Sequence, residues 1–207
     1  MKLATRLAVL LSLCALPALP ALANEGPRFG LQGGFADPQG DLRTIADSKL
    51  GFTAGMHMTL DLGTGWMLRP RLDYLALPER TESDSYYDPY LEATFQDSVS
   101  ARISGWSLGV DALYFPGGRP QGLYLVGGLG LVAWKVEASA SASVTGPGGS
   151  ESSVSSDSKT WNKTAFAVGL GYQFNRSFAL EGRYVASKIG DTDASANMLQ
   201  AVVTFRF

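Results

Sequence analysis

The chain is 207 residues long, has 24 glycines and 11% aromatic residues, and carries a formal net charge of −2. Its mean hydropathy of +0.04 is too low for a bundle of membrane helices, and its slightly acidic balance argues against a nucleic-acid binder. A single cysteine rules out a disulfide framework.

Residues 1–23 read as a secretory signal. Lys2 and Arg6 give a positive start, Leu7 to Leu22 is an apolar run broken by Pro17 and Pro20, and Ala21-Leu22-Ala23 offers the small residues of a cleavage site. The run is too short and too proline-broken for a membrane helix. Cys14 follows the bulky Leu13, which fits lipoprotein processing poorly, so it leaves with the signal. The mature domain, 24–207, then has no thiol chemistry, and the loss of Lys2 and Arg6 takes its net charge to near −4.

Period-two alternation then recurs eight times, the mark of strands with two unlike faces. In the first, Phe29, Leu31, Gly33 and Phe35 alternate with Arg28, Gly30, Gln32 and Gly34. The second sets Leu50, Phe52, Ala54, Met56, Met58 and Leu60 against Gly51, Thr53, Gly55, His57, Thr59 and Asp61. The third sets Leu68, Leu72, Tyr74 and Ala76 against Arg69, Arg71 and Asp73. Pro70 cannot donate to a ladder, so a bulge or a local break is expected there. The fourth has Trp106, Leu108, Val110, Ala112 and Tyr114 opposite Ser107, Gly109 and Asp111. The fifth, GLYLVGGLGLVAWKV, is apolar on both faces; its leucines are assigned outward and Tyr124, Gly128, Gly130 and Trp134 inward. The sixth opposes Phe166, Val168, Leu170, Tyr172 and Phe174 to Ala167, Gly169, Gly171 and Gln173, and the seventh opposes Phe178, Leu180 and Tyr184 to Glu181 and Arg183. The last strand, ANMLQAVVTFRF, alternates Met198, Gln200, Val202, Thr204 and Arg206 with Leu199, Ala201, Val203, Phe205 and Phe207, so its apolar face runs to the carboxylate.

The connectors alternate in length. Leu62 to Gly65, Pro116 to Gln121 and Asn175 to Ser177 are tight turns, whereas Asp37 to Ser48, Pro78 to Ser98, Glu137 to Asn162 and Gly190 to Ser195 are mostly much longer. Eight strands, alternating connectors, an export signal and a terminal Phe together resemble the small OmpA/OmpX-type outer-membrane β-barrels. The resemblance implies an all-β fold, an eight-stranded antiparallel up-and-down transmembrane barrel, with short periplasmic turns and long outer loops. It also implies residence in a bacterial outer membrane among lipids and lipopolysaccharide, and assembly by barrel-assembly machinery that reads Phe205 and Phe207. No C-terminal peptidoglycan-binding domain is expected, and a monomer is. A soluble lipocalin-like barrel has the same period with the faces reversed. The aromatics decide for the membrane form: Trp66, Tyr74, Tyr114, Tyr172, Phe174, Phe178 and Tyr184 share the apolar face, many near strand ends, where interfacial girdles belong.

Three groups are candidate sites. On the interior face, His57, Arg69, Arg71, Asp73, Asp111, Glu181 and Arg183 form the charge-rich set, joined by parity to Asp61 and Arg206. They are expected to pair as a plug, since buried charges persist when paired; the alternative is a narrow ion path. His57, the one histidine, is also the candidate acid–base group of a lipid A-modifying enzyme. It lacks the neighbouring serine that the deacylase type needs and points inward, so no enzymatic activity and no catalytic residue are assigned. Outside, Pro78 to Ser98 carries six acids and one base, and Asp84, Tyr86, Tyr87, Asp88, Tyr90 and Glu92 are the candidate binding residues for calcium or a basic partner. The Ser/Ala/Gly-rich Glu137 to Asn162 loop is expected to be flexible at its centre, its Ala/Ser start continuing the ladder. No cofactor motif is present: the Gly127-Gly128-Leu129-Gly130 run lies within a strand, where small residues suit a crowded interior.

Overall fold

The structure, a computed structural model, describes residues 26–147, 149–191 and 194–207; the signal and Cys14 lie outside them. The alternating stretches form β1 (Arg28–Gln39), β2 (Gly51–Gly63), β3 (Trp66–Ala76), β4 (Arg80–Asp88), β5 (Ala93–Tyr114), β6 (Gly122–Gly146), β7 (Gly149–Gln173), β8 (Phe178–Ile189), β9 (Ala194–Ser195) and β10 (Asn197–Arg206), with one short helix, α1 (Asp41–Ile45). Among the described residues, β1, β2, β3, β5, β6, β7, β8 and β10 pair antiparallel in a ring, and β10 closes onto β1 from Gly30↔Arg206 to Gln39↔Asn197. Closure satisfies the backbone without leaving an edge in the apolar zone.

The faces follow parity. Phe29, Leu31, Phe35, Phe52, Met56, Leu108, Leu123, Leu125, Leu129, Phe166, Leu170 and Phe205 are exposed on the outside, while Gln32, Thr53, His57, Arg69, Asp111, Tyr124, Gln173, Glu181 and Thr204 are buried inside. The leucines of β6 point outward and Trp134 inward, as expected. Aromatics gather at two heights. Trp66 meets Tyr114 with centroids 4.7 Å apart, and Tyr172, Phe174 and Phe178 line up beside the short turns. Phe52, Tyr74 and Trp106 form the other cluster. From Trp66 to Tyr74 the tilted strand climbs roughly 20 Å, close to the ~25 Å apolar band of such barrels.

Three expectations are corrected, and the local break expected at Pro70 is present. Pro78 to Ser98 is a hairpin, in which β4 pairs with the start of β5 from Arg80↔Ala101 to Asp88↔Ala93. Its period-two RTESDSYYD sequence is rich in strand-forming Thr and Tyr, and the Asp88 carboxylate accepts the Tyr90 N–H at 2.8 Å to make the turn. Glu137 to Asn162 is also strand: the β6–β7 ladder runs unbroken from Gly122↔Gln173 to Gly146↔Gly149, its Ala/Ser alternation serving both faces of a ribbon in water. At Pro70 the ladder to β2 breaks between His57↔Arg71 and Leu60↔Leu68 without a shift, while Pro70 keeps its register with Val110; the shift lies instead between Asp61 and Gly63. Leu60, assigned outward, is fully buried.

Asp37 to Ser48 completes β1 and then forms α1, whose Leu42 is fully buried with Ala46 beside it. Asp41 fastens this segment: its carboxylate accepts the Ser195 N–H and O–H, each at 2.9 Å. Those bonds hold the Asp41 carboxyl below the usual range, so the clasp is present above the ordinary Asp pKa and is lost as pH falls through the lowered value. At the opposite end, Gly65 turns from β2 to β3 with φ 82°, and a Cβ there would lie 2.5 Å from the Phe115 carbonyl oxygen.

The closed ladder predicts that folded protein runs at a different position on a denaturing gel before and after boiling. Gly169→Val should abolish the heat-modifiable band, because a Cβ at 169 meets the Arg183 backbone at 2.8 Å; a variant that still shows the shift would contradict the packing described.

Candidate functional site

The charged interior residues come from three strands. Arg69 and Arg71 lie on β3, with Asp73 two residues on; Asp111 is on β5, and Glu181 and Arg183 are on β8. Arg69 is the hub. Its Nη1 and Nη2 donate to the two oxygens of Glu181 at 2.8 and 2.9 Å, and its Nη2 and Nε donate to Asp111 Oδ2 at 2.7 and 3.1 Å. Arg71 Nε donates to Asp111 Oδ1 at 3.0 Å, and its Nη1 donates to Asp73. Arg183 sits between the carboxylates, 3.7 Å from Asp73, 3.9 Å from Asp111 and 3.7 Å from Glu181, and its Nε donates to Gln200 Oε1 at 2.6 Å. Gln32 donates to Asp73, and the Tyr124 hydroxyl donates to Glu181 at 3.0 Å. Three guanidiniums thus meet three carboxylates, so the layer is neutral as well as hydrogen-bonded.

Glycine makes room for it. In the cross-strand register Asp73 lies opposite Gly55, Arg71 opposite Gly109, Asp111 opposite Gly128, Glu181 opposite Gly171 and Arg183 opposite Gly169. A Cβ on Gly171 would strike the Tyr124 ring, and one on Gly128 the Asp111 carboxyl group. The interior glycines are therefore the space into which the long polar side chains lie.

Apolar layers flank the ion pairs. Toward the short turns are Met67, Leu113, Phe115, Tyr124, Val126 and Ala179. Toward the long hairpins, Trp134, Ile103, Leu75, Leu77, Met198 and Val185 pack with Leu42 and Ala46 from the helix segment. Between the ion pairs and this second layer is a cavity of about 30 Å³, bordered by Arg71, Asp73, Trp134, Ser187 and Gln200.

The remaining sequence candidates are placed as follows. His57 is inside and 4% exposed, but neither ring nitrogen has a hydrogen-bond partner among the described residues, so it stands apart from the network. A Cβ on Gly30 would lie 2.6 Å from its Nε2. Asp61 sits in the turn, its Oδ1 accepting the Gly63 N–H at 2.8 Å. Arg206 is buried nearer the short-turn end, with Nη1 3.9 Å from Met67 Sδ. Gln32, Tyr124 and Gln200 belong to the network although charge counting passes over them; their inward parity is the signal for them.

On the outer hairpin the candidates do not converge. Tyr86 stacks on Phe95 with centroids 4.9 Å apart, Tyr87 is next in the strand and so on the other face, and Tyr90 is 96% exposed in the turn. Asp84 faces Asp97 directly across the ladder. Asp88 is committed to the turn through Tyr90 and Leu91, and Glu92 adopts φ 49° there. Among the described residues no three His, Cys, Asp or Glu side chains are grouped to hold a metal ion. At the other end, Phe205 and Phe207 face outward, and the Phe207 N–H donates to the Phe29 carbonyl at 2.9 Å, so the final residue is part of the closure.

Residues 7–207 match the family described as outer membrane protein beta-barrel domain. No curated protein matches the sequence. Among solved structures the fold is similar to that of Ail, the attachment invasion locus protein of Yersinia pestis, at 14% identity and TM-score 0.52 over 87% of this chain and 98% of that one. A structure of Ail in complex with the heparin analogue sucrose octasulfate matches at 16% identity and TM-score 0.50, over 87% and 99% of the two chains. Neisserial surface protein A matches at 19% identity and TM-score 0.46, over 88% and 100%. Identities this low speak for the fold alone.

The hub geometry predicts unequal couplings. Arg69→Ala should cost about 3–5 kcal/mol by stranding two buried carboxylates. A double-mutant cycle in urea on bilayer-inserted protein should give a coupling above about 1.5 kcal/mol for Arg69–Glu181. Arg183–Glu181, at 3.7 Å, should couple more weakly. Equal couplings would contradict the assignment of Arg69 as hub.

Proposed function

The chain belongs to the outer-membrane β-barrel family, and from that premise we propose that it is a closed, non-enzymatic barrel whose working part is the sheet it raises above the membrane. It resides in the outer membrane of a bacterial cell. The short turns then face the periplasm and the long hairpins the exterior.

The sheet itself carries the reading. Above the ring, β4, β5, β6 and β7 continue as four paired strands without a register shift. Parity sorts its faces. One bears hydroxyls in rows such as Thr81, Ser100, Ser139 and Ser156. The other continues the lumen-facing side, with Val99 and Ala140, then Phe95 and Val144, in the middle. Glu82 and Asp84 stand on one flank of that strip, on β4, and Glu151 and Asp157 on the other, on β7, with Asp97 on β5 between Val99 and Phe95. Among the described residues Asp84, Asp97 and Glu151 form no ion pair, although Asp84 and Asp97 repel across the ladder. The flanks are about 14 Å apart, three strand spacings, a width that accepts a helix of ~10–12 Å diameter. An apolar strip between two acidic rails suits a basic amphipathic segment, so a basic partner is favoured over calcium.

The interior supports the closed reading. Ion pairs between two apolar layers have beside them a cavity of about 30 Å³, room for one or two waters. A small pore is the alternative. His57, buried with neither ring nitrogen hydrogen-bonded among the described residues, supports the absence of lipid A chemistry. The partners are then outer-membrane lipid and lipopolysaccharide around the apolar belt, and the assembly machinery that reads Phe205 and Phe207 on a monomer.

A Lys/Leu amphipathic helical peptide should bind the protein in zwitterionic nanodiscs, beyond its binding to empty nanodiscs. Asp84→Asn with Asp97→Asn should weaken that binding about tenfold, and Ser141→Asn on the hydroxyl face should leave it unchanged. Equal binding to empty discs and to all variants would overturn the surface reading. His57→Ala should leave the lipid A mass spectrum of expressing cells unaltered; a lost modification would revive the enzyme.

A further inference from the structure

We propose that the periplasmic mouth of the barrel is a binding site for a phosphate-bearing anion, built around Arg206. The mouth encloses a cavity of about 440 Å³, within the range of small-molecule sites. Among the described residues, Arg28, Arg119, Arg176 and Arg206 line it together with one carboxylate, Asp61. That carboxylate is partly engaged, since its Oδ1 accepts the Gly63 N–H at 2.8 Å.

Arg206 sets this mouth apart from the rest of the interior. It is only 6% exposed, yet among the described residues it forms no ion pair; its Nη1 has the weak acceptor Met67 Sδ at 3.9 Å. Arg69, Arg71 and Arg183, higher in the lumen, each have carboxylates within 4 Å. A buried guanidinium without a counter-charge is costly, and an anion in the cavity offsets that cost.

The backbone fixes this cation in place. The Arg206 N–H donates to the Ser177 carbonyl at 2.7 Å, and Gly30 lies across the ladder from it. Arg119 and Arg176 come from the β5–β6 and β7–β8 turns, so three independent segments bring guanidiniums to the rim around Arg206. Guanidinium forks match phosphate oxygens in geometry as well as charge. Two sources present that group on this side of the membrane, the headgroup of an inner-leaflet phospholipid and a free phosphorylated molecule. The site is independent of the outer sheet, so failure of one proposal leaves the other standing.

Titration calorimetry with pyrophosphate, on protein refolded in zwitterionic micelles at low ionic strength, tests the site. The expected result is saturable one-to-one binding, weakened about tenfold in Arg206→Gln and weakened again by Arg119→Gln with Arg176→Gln. Arg102→Gln, midway along β5 and away from the short turns, should bind as wild type does. Heat-modifiability checks that each variant folds; if Arg206→Gln does not, the Arg119 and Arg176 variants decide. Nanodiscs separate the sources: loss of pyrophosphate binding in phosphatidylglycerol but not phosphatidylcholine discs identifies a lipid headgroup, and binding in both identifies a free phosphorylated ligand. Absence of saturable binding to the wild type, or unchanged affinity in the folded arginine variants, overturns the proposal.

Discussion

Three arginines and three carboxylates inside a ring of eight strands constrain everything else in this molecule. Each charge would be costly alone when buried inside the barrel. Together they are neutral, hydrogen-bonded and held between apolar layers, where the low dielectric strengthens each pair. Their length also dictates the backbone around them. A small barrel has no space for six long polar side chains unless the facing strands give up theirs, and Gly55, Gly109, Gly128, Gly169 and Gly171 do so.

The rest of the architecture follows from where that layer stops. Toward the long hairpins, Trp134 and Ile103 begin an apolar cap that α1 completes with Leu42, and the Asp41–Ser195 clasp keeps the helix seated. Above the cap the outward face no longer meets lipid. There β5, β6 and β7 change from leucine and phenylalanine to serine, threonine and alanine without losing register. The same ladder thus serves as membrane wall below and as a two-faced sheet in water above. Toward the short turns the paired charges give way to Arg206, whose surroundings are arginine-rich.

Much of this was legible in the sequence because one property, parity, is carried by every strand. Period two assigned Arg69, Asp111, Glu181 and Trp134 to the interior and Phe166, Leu170 and Phe207 to the exterior, and the structure agrees. What parity cannot carry is height, because stagger and tilt set which residues share a layer. Hence Arg69, and not Arg183, is the tight partner of Glu181; His57, opposite Arg71 in the ladder, makes no hydrogen bond among the described residues. The hairpins were obscured for another reason. Serine, glycine and charge read as loop by composition, whereas a partner strand fixes such segments as ladder whenever their alternation suits two wet faces. Pro70 shows the reverse, a local rule that held: the missing N–H leaves a gap toward β2, and the bulge lies at the nearby turn.

The most direct test of the account is planar-bilayer recording from the refolded wild-type protein. At potentials near 100 mV, worth about 2.3 kcal/mol per unit charge, the paired layer and its apolar caps should hold current at the bare-bilayer baseline. Stable, reproducible current steps from the wild-type protein would mean that water and ions pass the Arg69 hub, and would contradict the closed interior.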